Sequence, residues 1–534
     1  MRFKRSFLVF VLMLTLVFTP AVMAQKIVES DNFNKEGFPI VNEPITIQFM
    51  SRKPPTTADD HNEVAIWKKY EEMTNIHIEW GLVPTAGLTE RRNLSLLGEG
   101  MPEVYYRMTF PNTDLAKYGT QGVFLELTDL IEEYMPNLSA ILEQYPDIRK
   151  GMTFPDGGIY GLPTIYDREF LSLIIGNKFW IRADWLEQLG MEPPETTEEL
   201  YQYLKAVKET DLMGDGSGRE IPFGAGGIGE LRQVLTGAFG IQNRGRNHAY
   251  IDVDPETGEL RFFPISEGYR ELLEYMHKLY SEGLILENIY TIEYNQNLAY
   301  GAEGRYGSTT MASPEQILGH EYGSRYIGVP ALEGPRGHKA YTKVGSPLIR
   351  MGGFVITNKN KHVPETLRWM DYFYSDEGAQ MFFMGLEGES YEVLPDGSLE
   401  FLDHIKNNPD GLTPDQALIP YVVYMGGNYP GILKQKYFKG SEALPQSIEA
   451  AEILEPYIID EIWPKFTFTP EEARRLTAIE GDLLKYVDEM QDKFITGAEP
   501  LSKWDDYVKM VTKRLPLDEY MKIMQAAVER YNAN

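Results

Sequence analysis

The sequence predicts an α/β protein of two lobes that ends in a helical subdomain. At 534 residues the chain is too long for one ordinary domain, so we expect two large lobes or three smaller domains. Short runs of branched and aromatic residues alternate with amphipathic helical patterns, which indicates α/β layers. The sequence contains no internal repeat and no Pro/Ser-rich linker. We therefore expect the chain to cross between the lobes more than once.

Four short segments predict strands, and they lie at residues 45–49, 77–80, 171–175 and 353–356. Each is rich in the branched and aromatic side chains that suit a pleated, half-buried surface. Helical patterns separate these segments.

Two capping boxes predict helix starts, one at Thr196 with Glu199 and one at Thr469 with Glu472. After the second box, apolar residues recur every three or four positions as far as Phe494. Two further helical patterns follow, over residues 502–513 and 518–531. The last quarter of the chain is therefore predicted to be helical.

The N-terminus has the pattern of a secretory signal peptide. Arg2, Lys4 and Arg5 precede an unbroken apolar run at residues 7–18, and small side chains follow up to Ala24. Twelve helical residues reach roughly 18 Å, less than the ~30 Å that a membrane anchor must span. Cleavage after Ala24 would remove three positive charges and lower the net charge from −28 to −31. We expect residues 1–24 to be removed.

The composition excludes several classes of protein. With 79 acidic and 51 basic residues, the chain would repel a nucleic acid or an anionic membrane. The absence of cysteine excludes disulfides, thiolate nucleophiles, zinc–cysteine sites and a cysteine-linked lipid anchor. We therefore expect a protein that is periplasmic or secreted, soluble after cleavage, and not lipid-anchored.

Common catalytic motifs are absent from the sequence. The eight histidines form no HExxH pattern, and no GxSxG occurs. A GxGxxG match at residues 224–229 lacks the buried strand that a dinucleotide site needs before it, so it predicts a loop. A carboxylate pair for glycoside hydrolysis stays open, because so many acids give pairs by chance.

A polar loop at residues 211–220 has the shape of a calcium loop. Its candidate oxygen ligands are Asp211, Asp215, Ser217 and Glu220. Met213 stands where the third position needs an oxygen, and Arg219 brings a positive charge to the ninth. The loop therefore has two interpretations, a calcium site or a polar turn that keeps the shape of one.

Aromatic residues are abundant, with 33 Tyr, 25 Phe and 7 Trp. Aromatic faces suit the apolar faces of sugar rings, although most aromatics in any fold belong to the core. A tyrosine beside a charge and outside an apolar period is a better ligand candidate. Tyr106 with Arg107, Tyr160, and Tyr166 with Asp167 meet this criterion.

Several motifs occur in one order along most of the chain. They are TNI at 74–76, GMPE at 100–103, DGGIYGLP at 156–163, IRADWLEQLG at 181–190, YFYSDEG at 372–378, GLEG at 385–388, FITG at 494–497 and WDDYV at 504–508. Together they resemble the extracellular solute-binding proteins of ABC importers, family 1. The resemblance is strongest to the large oligosaccharide-binding branch, which includes alginate-binding proteins and many lipoproteins.

This resemblance implies a periplasmic-binding-protein fold (type II-like), with hinge strands between two α/β lobes and an extended C-terminal helical subdomain. By analogy, residues 25–165 and 313–385 would form the first lobe. Residues 166–312 and 386–534 would form the second. The chain would cross near residues 163–167, 309–313 and 385–388.

The resemblance also implies a ligand cleft between the lobes. Its expected ligand-binding residues are Tyr106, Arg107, Tyr160, Tyr166, Asp167, Glu230, Arg232, Glu315 and Glu387. A ligand with acidic sugars would need basic residues there, such as Arg107, Arg232 or Arg305. The loop at Asp211 would be the family's calcium loop, weakened by Met213 and Arg219.

The expected function is capture of a carbohydrate, most simply an oligosaccharide, and its delivery to an ABC transporter permease. The protein would then be no enzyme, would act as a monomer, and would need no cofactor other than the calcium that its loop leaves open. Two alternatives remain, a secreted carbohydrate-active enzyme and a sensor subunit that presents ligand to a membrane partner.

Overall fold

The computed structural model describes residues 27, 29–55, 57–98, 100–423 and 429–533. The predicted signal peptide, residues 1–24, lies outside these ranges. Among the helices of the described ranges, none combines the length and the apolar character needed to cross a bilayer.

The described residues contain strands and helices in alternation along the chain. The strands are β1 Ile45–Lys53, β2 Ile76–Pro84, β3 Val104–Phe110, β4 Leu162–Tyr166, β5 Lys178–Arg182, β6 Ile221–Phe223, β7 Ile251–Val253, β8 Leu260–Phe262, β9 Tyr306–Met311, β10 Tyr326–Gly328, β11 Leu348–Ile356, β12 Tyr391–Val393, β13 Leu399–Phe401 and β14 Gly431–Leu433. The helices of the first half are α1 Ala65–Thr74, α2 Leu88–Ser95, α3 Asn112–Thr120, α4 Thr128–Tyr134, α5 Pro136–Gln144, α6 Pro146–Met152, α7 Leu171–Ile175, α8 Ala183–Leu189, α9 Thr197–Glu209, α10 Ile228–Leu235 and α11 Glu267–Ser281. The later helices are α12 Tyr294–Ala302, α13 Pro314–Leu318, α14 His320–Gly323, α15 Val363–Asp371, α16 Asp376–Met384, α17 Asp403–Lys406, α18 Pro414–Ala417, α19 Pro445–Leu454, α20 Pro470–Ile479, α21 Lys485–Thr496, α22 Trp504–Lys513 and α23 Leu517–Ala533.

Two sheets organise the molecule. The larger sheet has the strand order β14-β4-β11-β3-β1-β2, and the smaller has the order β10-β5-β9-β6. In the larger sheet β11 runs antiparallel to its neighbours β3 and β4, whereas β1 is parallel to both β2 and β3. Two small hairpins, β7–β8 and β12–β13, lie outside these sheets. The predicted α/β fold of two lobes is confirmed.

The local sequence signals explain many of the element boundaries. Both predicted capping boxes form: Thr196 Oγ1 accepts from the amide of Glu199 at 3.1 Å, and Thr469 Oγ1 accepts from the amide of Glu472 at 3.2 Å. Each box satisfies a helix amide that would otherwise lack a partner. The two helices predicted near the C-terminus are present as α22 and α23.

The prediction of a strand at residues 171–175 was wrong, because this segment is helix α7. A short apolar run does not distinguish a buried strand from a buried helix. Here four of the five side chains are buried on several sides, and Gly176 ends the helix with a φ of 69°. Tertiary burial therefore outweighs the β preference of two consecutive isoleucines.

Each sheet has its own hydrophobic core. The first core draws its residues from 40–173 and 348–438, and the second from 179–332 and 450–527. A small third cluster of Ile175, Ala331, Tyr341, Ala451 and Leu454 lies where the chain passes between the lobes. The structure thus has two separately packed lobes with a small apolar joint.

The lobe boundaries differ from the expected ones at two places. Residues 318–332 pack in the second core, although 313–385 was expected in the first lobe. Residues 391–438 pack in the first core, although 386–534 was expected in the second lobe. The reason is that β9 continues into α13 without leaving its lobe, and that β14 adds a parallel strand beside β4.

We define the crossings as the segments that connect the last sheet strand of one lobe to the next strand or helix of the other, at residues 167–177, 329–347 and 434–444. Some residues of each segment still pack in the adjoining core. The first crossing lies next to the predicted one at 163–167. The other two lie away from the expected positions at 309–313 and 385–388, which are a buried strand end and a turn within one lobe.

The C-terminal helices belong to the second core but also contact the first lobe. Trp504, Tyr507 and Tyr520 are buried in the second core. Thr467 Oγ1 donates a hydrogen bond to the carbonyl of Thr153 in the first lobe at 2.8 Å, and α23 packs beside α6. The helical subdomain therefore bridges the two lobes on one side.

Candidate functional site

The carboxyl ends of the parallel strands face the crossings. Strand β4 of the larger sheet ends at Tyr166, and the crossing at 167–177 leads directly into β5 of the smaller sheet. Because β5 pairs antiparallel with β9, the start of β5 lies beside the carboxyl end of β9. In open α/β sheets, ligands bind beyond the carboxyl ends of the strands. We name these two opposed sheet margins the facing edges.

The first lobe presents Arg52, Tyr166 and Arg350 on its facing edge. Arg52 lies near the end of β1, and its Nε donates to Thr85 Oγ1 at 3.1 Å. Partial desolvation lowers the pKa of Arg350, the negative phenolate of Tyr166 would raise it, and the charge of Arg52 lowers it. These three groups are therefore close enough to sense one another.

Arg107 lies on β3 in an unusual backbone conformation. Its φ is 57°, and Thr109 two residues on has a φ of 53°. Left-handed backbone in residues other than glycine is uncommon and concentrates at functional sites. Desolvation, and then the charge of Arg107, lowers the pKa of buried His61 to about 3. The predicted site residue Arg107 thus belongs to a strained and positively charged strand segment.

The second lobe presents a paired network on its facing edge. Glu230 in the first turn of α10 accepts from Lys343 Nζ at 2.6 Å and from Asn177 Nδ2 at 3.5 Å. Burial alone would raise the pKa of Glu230, but the charge and hydrogen bond of Lys343 bring it below its ordinary value. Only 2% of the Lys343 side chain is exposed, so this ion pair is largely shielded from solvent.

Arg246 ties two of the crossings together. Its Nη1 donates to the carbonyl of Ile175 at 2.8 Å. A Cβ added at Gly176 or at Gly345 would lie 3.1 Å from the guanidinium. The absence of a side chain at these two glycines therefore lets the guanidinium pack against the backbone. Desolvation lowers the pKa of Arg246, while Tyr341, Tyr166 and Glu230 oppose this. Arg246 therefore contacts the crossings and interacts electrostatically with groups from both lobes.

Lys178 is a buried cation at the start of β5. Its Nζ donates to the carbonyls of Ser172 and Gly176, both at 2.9 Å. Burial lowers its pKa to about 7; Glu442 raises it and two neighbouring cations lower it further. Lys178 fixes the crossing backbone and is sheltered from any ligand.

Three predicted site residues lie at the facing edges in addition to Arg107. Tyr166 and Glu230 both interact with Arg246. Asp167 is half-buried beside them, where its amide donates to the carbonyl of Leu433 at 2.9 Å and its Oδ1 accepts from the amide of Glu169. Asp167 therefore shapes the start of the first crossing.

Two predicted tyrosines lie in the core of the first lobe. The ring of Tyr106 is fully buried and packs edge-on against Trp80, with centroids 5.6 Å apart. Tyr160 packs over Gly119, and its hydroxyl donates to Asp156 Oδ2 at 2.6 Å. In sequence Tyr106 stands beside a charge and Tyr160 follows a polar turn, but strand direction and glycine packing turn both rings inward.

The remaining predicted residues lie apart from this group. Arg232 donates to Gln491 of α21 at 2.7 Å, and Glu315 contacts His320 at 2.7 Å on an exposed surface. Glu387 is exposed on the turn before β12, and Arg305 stacks over Tyr300. For Glu315 and Glu387, the reason is that the second and third crossings lie at other positions than those expected.

Sequence reasoning did not select five residues of the facing edges, namely Arg52, Asn177, Arg246, Lys343 and Arg350. Two signals could have suggested them. Arg246 follows a glycine and Asn177 follows Gly176, and such glycines often mark a close approach of chain segments. Arg52 and Arg350 are cations within apolar strands, which is an uncommon place for a charge.

The loop at 211–220 is closed by its own groups. Asp211 accepts from the amides of Gly214 and Gly216, and Glu220 accepts from the amide of Met213 at 2.9 Å. Arg219 donates to Asp215 Oδ2 at 2.7 Å and to Ser217 Oγ at 3.0 Å. Among the residues that the structure describes, no group of three His, Asp or Glu could hold a metal ion. In this structure the acidic groups of the loop are thus engaged by the loop's own amides and by Arg219.

Two surface cavities of about 490 and 570 Å³ lie on the second lobe. Their arginines are already paired: Arg261 with Asp252 at 2.7 Å in the first, and Arg244 with Glu461 at 3.2 Å in the second. Each cavity is lined by one lobe only, so neither would close when the lobes move.

Comparison with known proteins gives a consistent result. Residues 55–380 match the model of the bacterial extracellular solute-binding protein family. The chain is 28% identical over 524 residues to the fructooligosaccharide ABC transporter substrate-binding protein FusA of Streptococcus pneumoniae, covering 95% of this chain and 94% of the relative. It is 27% identical over 242 residues, 45% of each chain, to the polygalacturonan/rhamnogalacturonan-binding protein YtcQ of Bacillus subtilis.

The solved structures agree on the fold. The complex of S. pneumoniae FusA with kestose has a TM-score of 0.73 and 27% identity, covering 92% of this chain and all of that one. A FusA structure described as an EF-hand mutant has a TM-score of 0.72 and 26% identity, with the same coverage. Because the family model spans more than half of its residues, the chain belongs to the bacterial extracellular solute-binding protein family.

Proposed function

We propose that the protein captures an oligosaccharide between its lobes and delivers it to the membrane permease of an ABC importer. The observation that carries this proposal is the pair of facing edges, where polar and charged groups from both lobes meet at three chain crossings. That the ligand is an oligosaccharide follows the FusA relative, whose similarity extends over nearly the whole chain.

The mechanism is hinge closure. The second lobe holds its half of the site in place through Glu230 and Lys343, while the first lobe offers Arg52, Tyr166 and Arg350. A ligand that contacts both lobes stabilises the closed arrangement only by the contacts that are missing in the open one. The proposal is capture without chemical change of the sugar.

The same proposal includes the cellular setting. The predicted signal peptide directs export, and the mature chain acts as a monomer that docks on its permease after closure. Size-exclusion chromatography with light scattering, with and without ligand, tests the monomeric state.

For the loop at 211–220, we propose that Arg219 supplies the positive charge that a calcium ion would provide in an intact loop. Its guanidinium contacts both Asp215 and Ser217, two of the expected ligands. We expect equal melting temperatures in calcium and in EDTA. A clear stabilisation by calcium would refute this assignment.

A thermal-melt screen of the mature chain against oligosaccharides, with the sugars recovered afterwards, tests the main proposal. A ligand at 100 times its Kd adds about 2.7 kcal/mol to the free energy of unfolding. A saturable shift with intact sugar supports a transport receptor. Recovery of shortened sugar would contradict capture and favour a carbohydrate-active enzyme.

A further inference from the structure

The facing edges carry an excess of positive charge in a strongly acidic protein. Arg350 pairs with Thr164, two residues before β4 ends at Tyr166, and Arg52 is the second-last residue of β1. Arg246 donates to the carbonyl of Ile175 in the first crossing at 2.8 Å. The whole chain nevertheless has a net charge of −28. Within the described ranges, none of these three guanidinium groups has a carboxylate within ion-pair distance, although the chain has 79 acids available. With 79 acidic and 51 basic residues, an average patch of surface would carry more negative than positive charge. The facing edges show the reverse.

The acids of the same region are already engaged. Glu230 is paired with Lys343 at 2.6 Å, and Asp59 with Lys53 at 2.8 Å. Asp167 accepts from the amide of Glu169. Glu442 faces the buried ammonium of Lys178. The carboxylates that lie near the guanidinium groups thus have other partners.

Clustered cations without counter-charges are unfavourable in the free protein. Partial desolvation disfavours the charged form of Arg350, Tyr166 opposes this effect, and the charge of Arg52 adds to it. A ligand that brings a negative charge would relieve both costs on binding. A guanidinium also binds a carboxylate through two parallel hydrogen bonds, which a neutral hydroxyl does not match.

We infer that the ligand is an acidic oligosaccharide, whose carboxylates are received by Arg350 and Arg52 from the first lobe and by Arg246 from the second. This inference rests on the proposed function, because it names the substrate class of the same cleft. The net negative charge of the protein repels such a ligand at long range. The three guanidinium groups must therefore act at short range, which makes the recognition selective for charge position.

The test uses the mature full-length chain and titration calorimetry. The probes are oligogalacturonates, the same oligogalacturonates with their carboxyl groups methyl-esterified, and neutral fructo-oligosaccharides. We expect the free acids to bind, their affinity to fall as salt is raised, and the esters to bind at least about tenfold more weakly.

Two variants separate recognition from folding. Arg350→Gln removes a cation of the first facing edge, and Arg514→Gln removes an exposed cation at the end of α22 that has no ion pair in the described structure. We expect R350Q to weaken binding of the free acids about tenfold, with little change for the esters, and R514Q to change neither. Their melting temperatures without ligand check that both variants fold.

The outcomes are distinct. Binding of fructo-oligosaccharides that depends on neither salt nor Arg350 would overturn the acidic-ligand inference and leave the proposed function supported. Equal affinity for acid and ester would also overturn it. If none of these oligosaccharides binds and no other glycan shifts the melting temperature, the proposed function fails and the inference fails with it.

Discussion

The two facing edges differ in how their charges are balanced. In the second lobe, Glu230, Lys343 and Asn177 satisfy one another at short distances. In the first lobe, Arg52 and Arg350 lie near each other and near Tyr166, and the described part of the chain gives them no carboxylate. The charged groups of the second lobe are thus paired before ligand binds. The guanidinium groups of the first lobe would gain a counter-charge only from an acidic ligand. Binding would therefore change the first lobe's electrostatics more than the second's.

The largest effect at a single pH is expected from breaking the paired edge. Glu230→Gln leaves the ammonium of Lys343 almost fully buried without its counter-charge. Removing one partner of such a pair costs about 3 kcal/mol of the free energy of unfolding. Urea denaturation measures this loss.

The matched control for that variant is the double substitution Glu230→Gln with Lys343→Met. It removes both charges, so we expect most of the stability to return. If E230Q alone is as stable as the wild type, the second edge is not held by this ion pair, and the contrast between the two lobes disappears.

The next effect concerns pH in the second lobe. Burial lowers the pKa of Lys178 to about 7, whereas in the unfolded chain it is near 10.5. Between these values the unfolded state binds the proton more readily, so stability falls as pH decreases from about 10 to about 7, by about 1.4 kcal/mol per pH unit. Lys178→Met should remove this slope. An unchanged slope in the variant would assign the dependence to another group.

A complementary pH effect is expected in the first lobe. Burial, helped by Arg107, lowers the pKa of His61 to about 3, below the 6.5 of an unfolded chain. Stability therefore falls as pH decreases from about 6.5 towards 3, and this contribution is complete above pH 6.5. Carboxylates titrate over part of the same range, so the measure is the difference between the wild type and His61→Gln between pH 5 and 6.5. No difference there would mean that the pKa of His61 is the same in the folded and unfolded states.

The smallest effect tests the bridge between the lobes away from the facing edges. Thr467→Val removes the hydrogen bond to the carbonyl of Thr153 and should cost about 1 kcal/mol of stability. Thr477→Val is the control, because Thr477 bonds only to the carbonyl of Ala473 within its own helix. A larger loss of ligand affinity in T467V than in T477V would show that the bridge also favours the closed arrangement.

Much of the site escaped sequence reasoning for a definable reason. Tyr166, Asp167, Arg107 and Glu230, which lie at the facing edges, were predicted because each stands beside a recognisable strand end or helix start. Arg246 and Arg350 were not, because nothing in their local sequence shows which crossing they meet. Only the pairing of β11 with β4 and the path of the chain through residues 329–347 bring them to Tyr166.

The tyrosines show the opposite error. Tyr106 and Tyr160 have a charge or a polar turn nearby in sequence, which favoured a role in binding. In the fold, Tyr106 enters an aromatic core with Trp80, and Tyr160 fills the space left by Gly119. Sequence neighbours therefore do not show whether a side chain faces the core or a ligand, because packing against distant residues decides its direction.

The sequence by itself determined the α/β class, the capped helices of the C-terminal part and the family, because these depend on short-range period, caps and ordered motifs. The tertiary structure decided which segments share a lobe, where the second and third crossings lie, and which charges meet between the lobes. Those features depend on contacts between residues far apart along the chain, such as Glu230 with Lys343 and Arg246 with Ile175. No local pattern encodes such a contact, since each charged partner alone has the sequence of an ordinary surface charge.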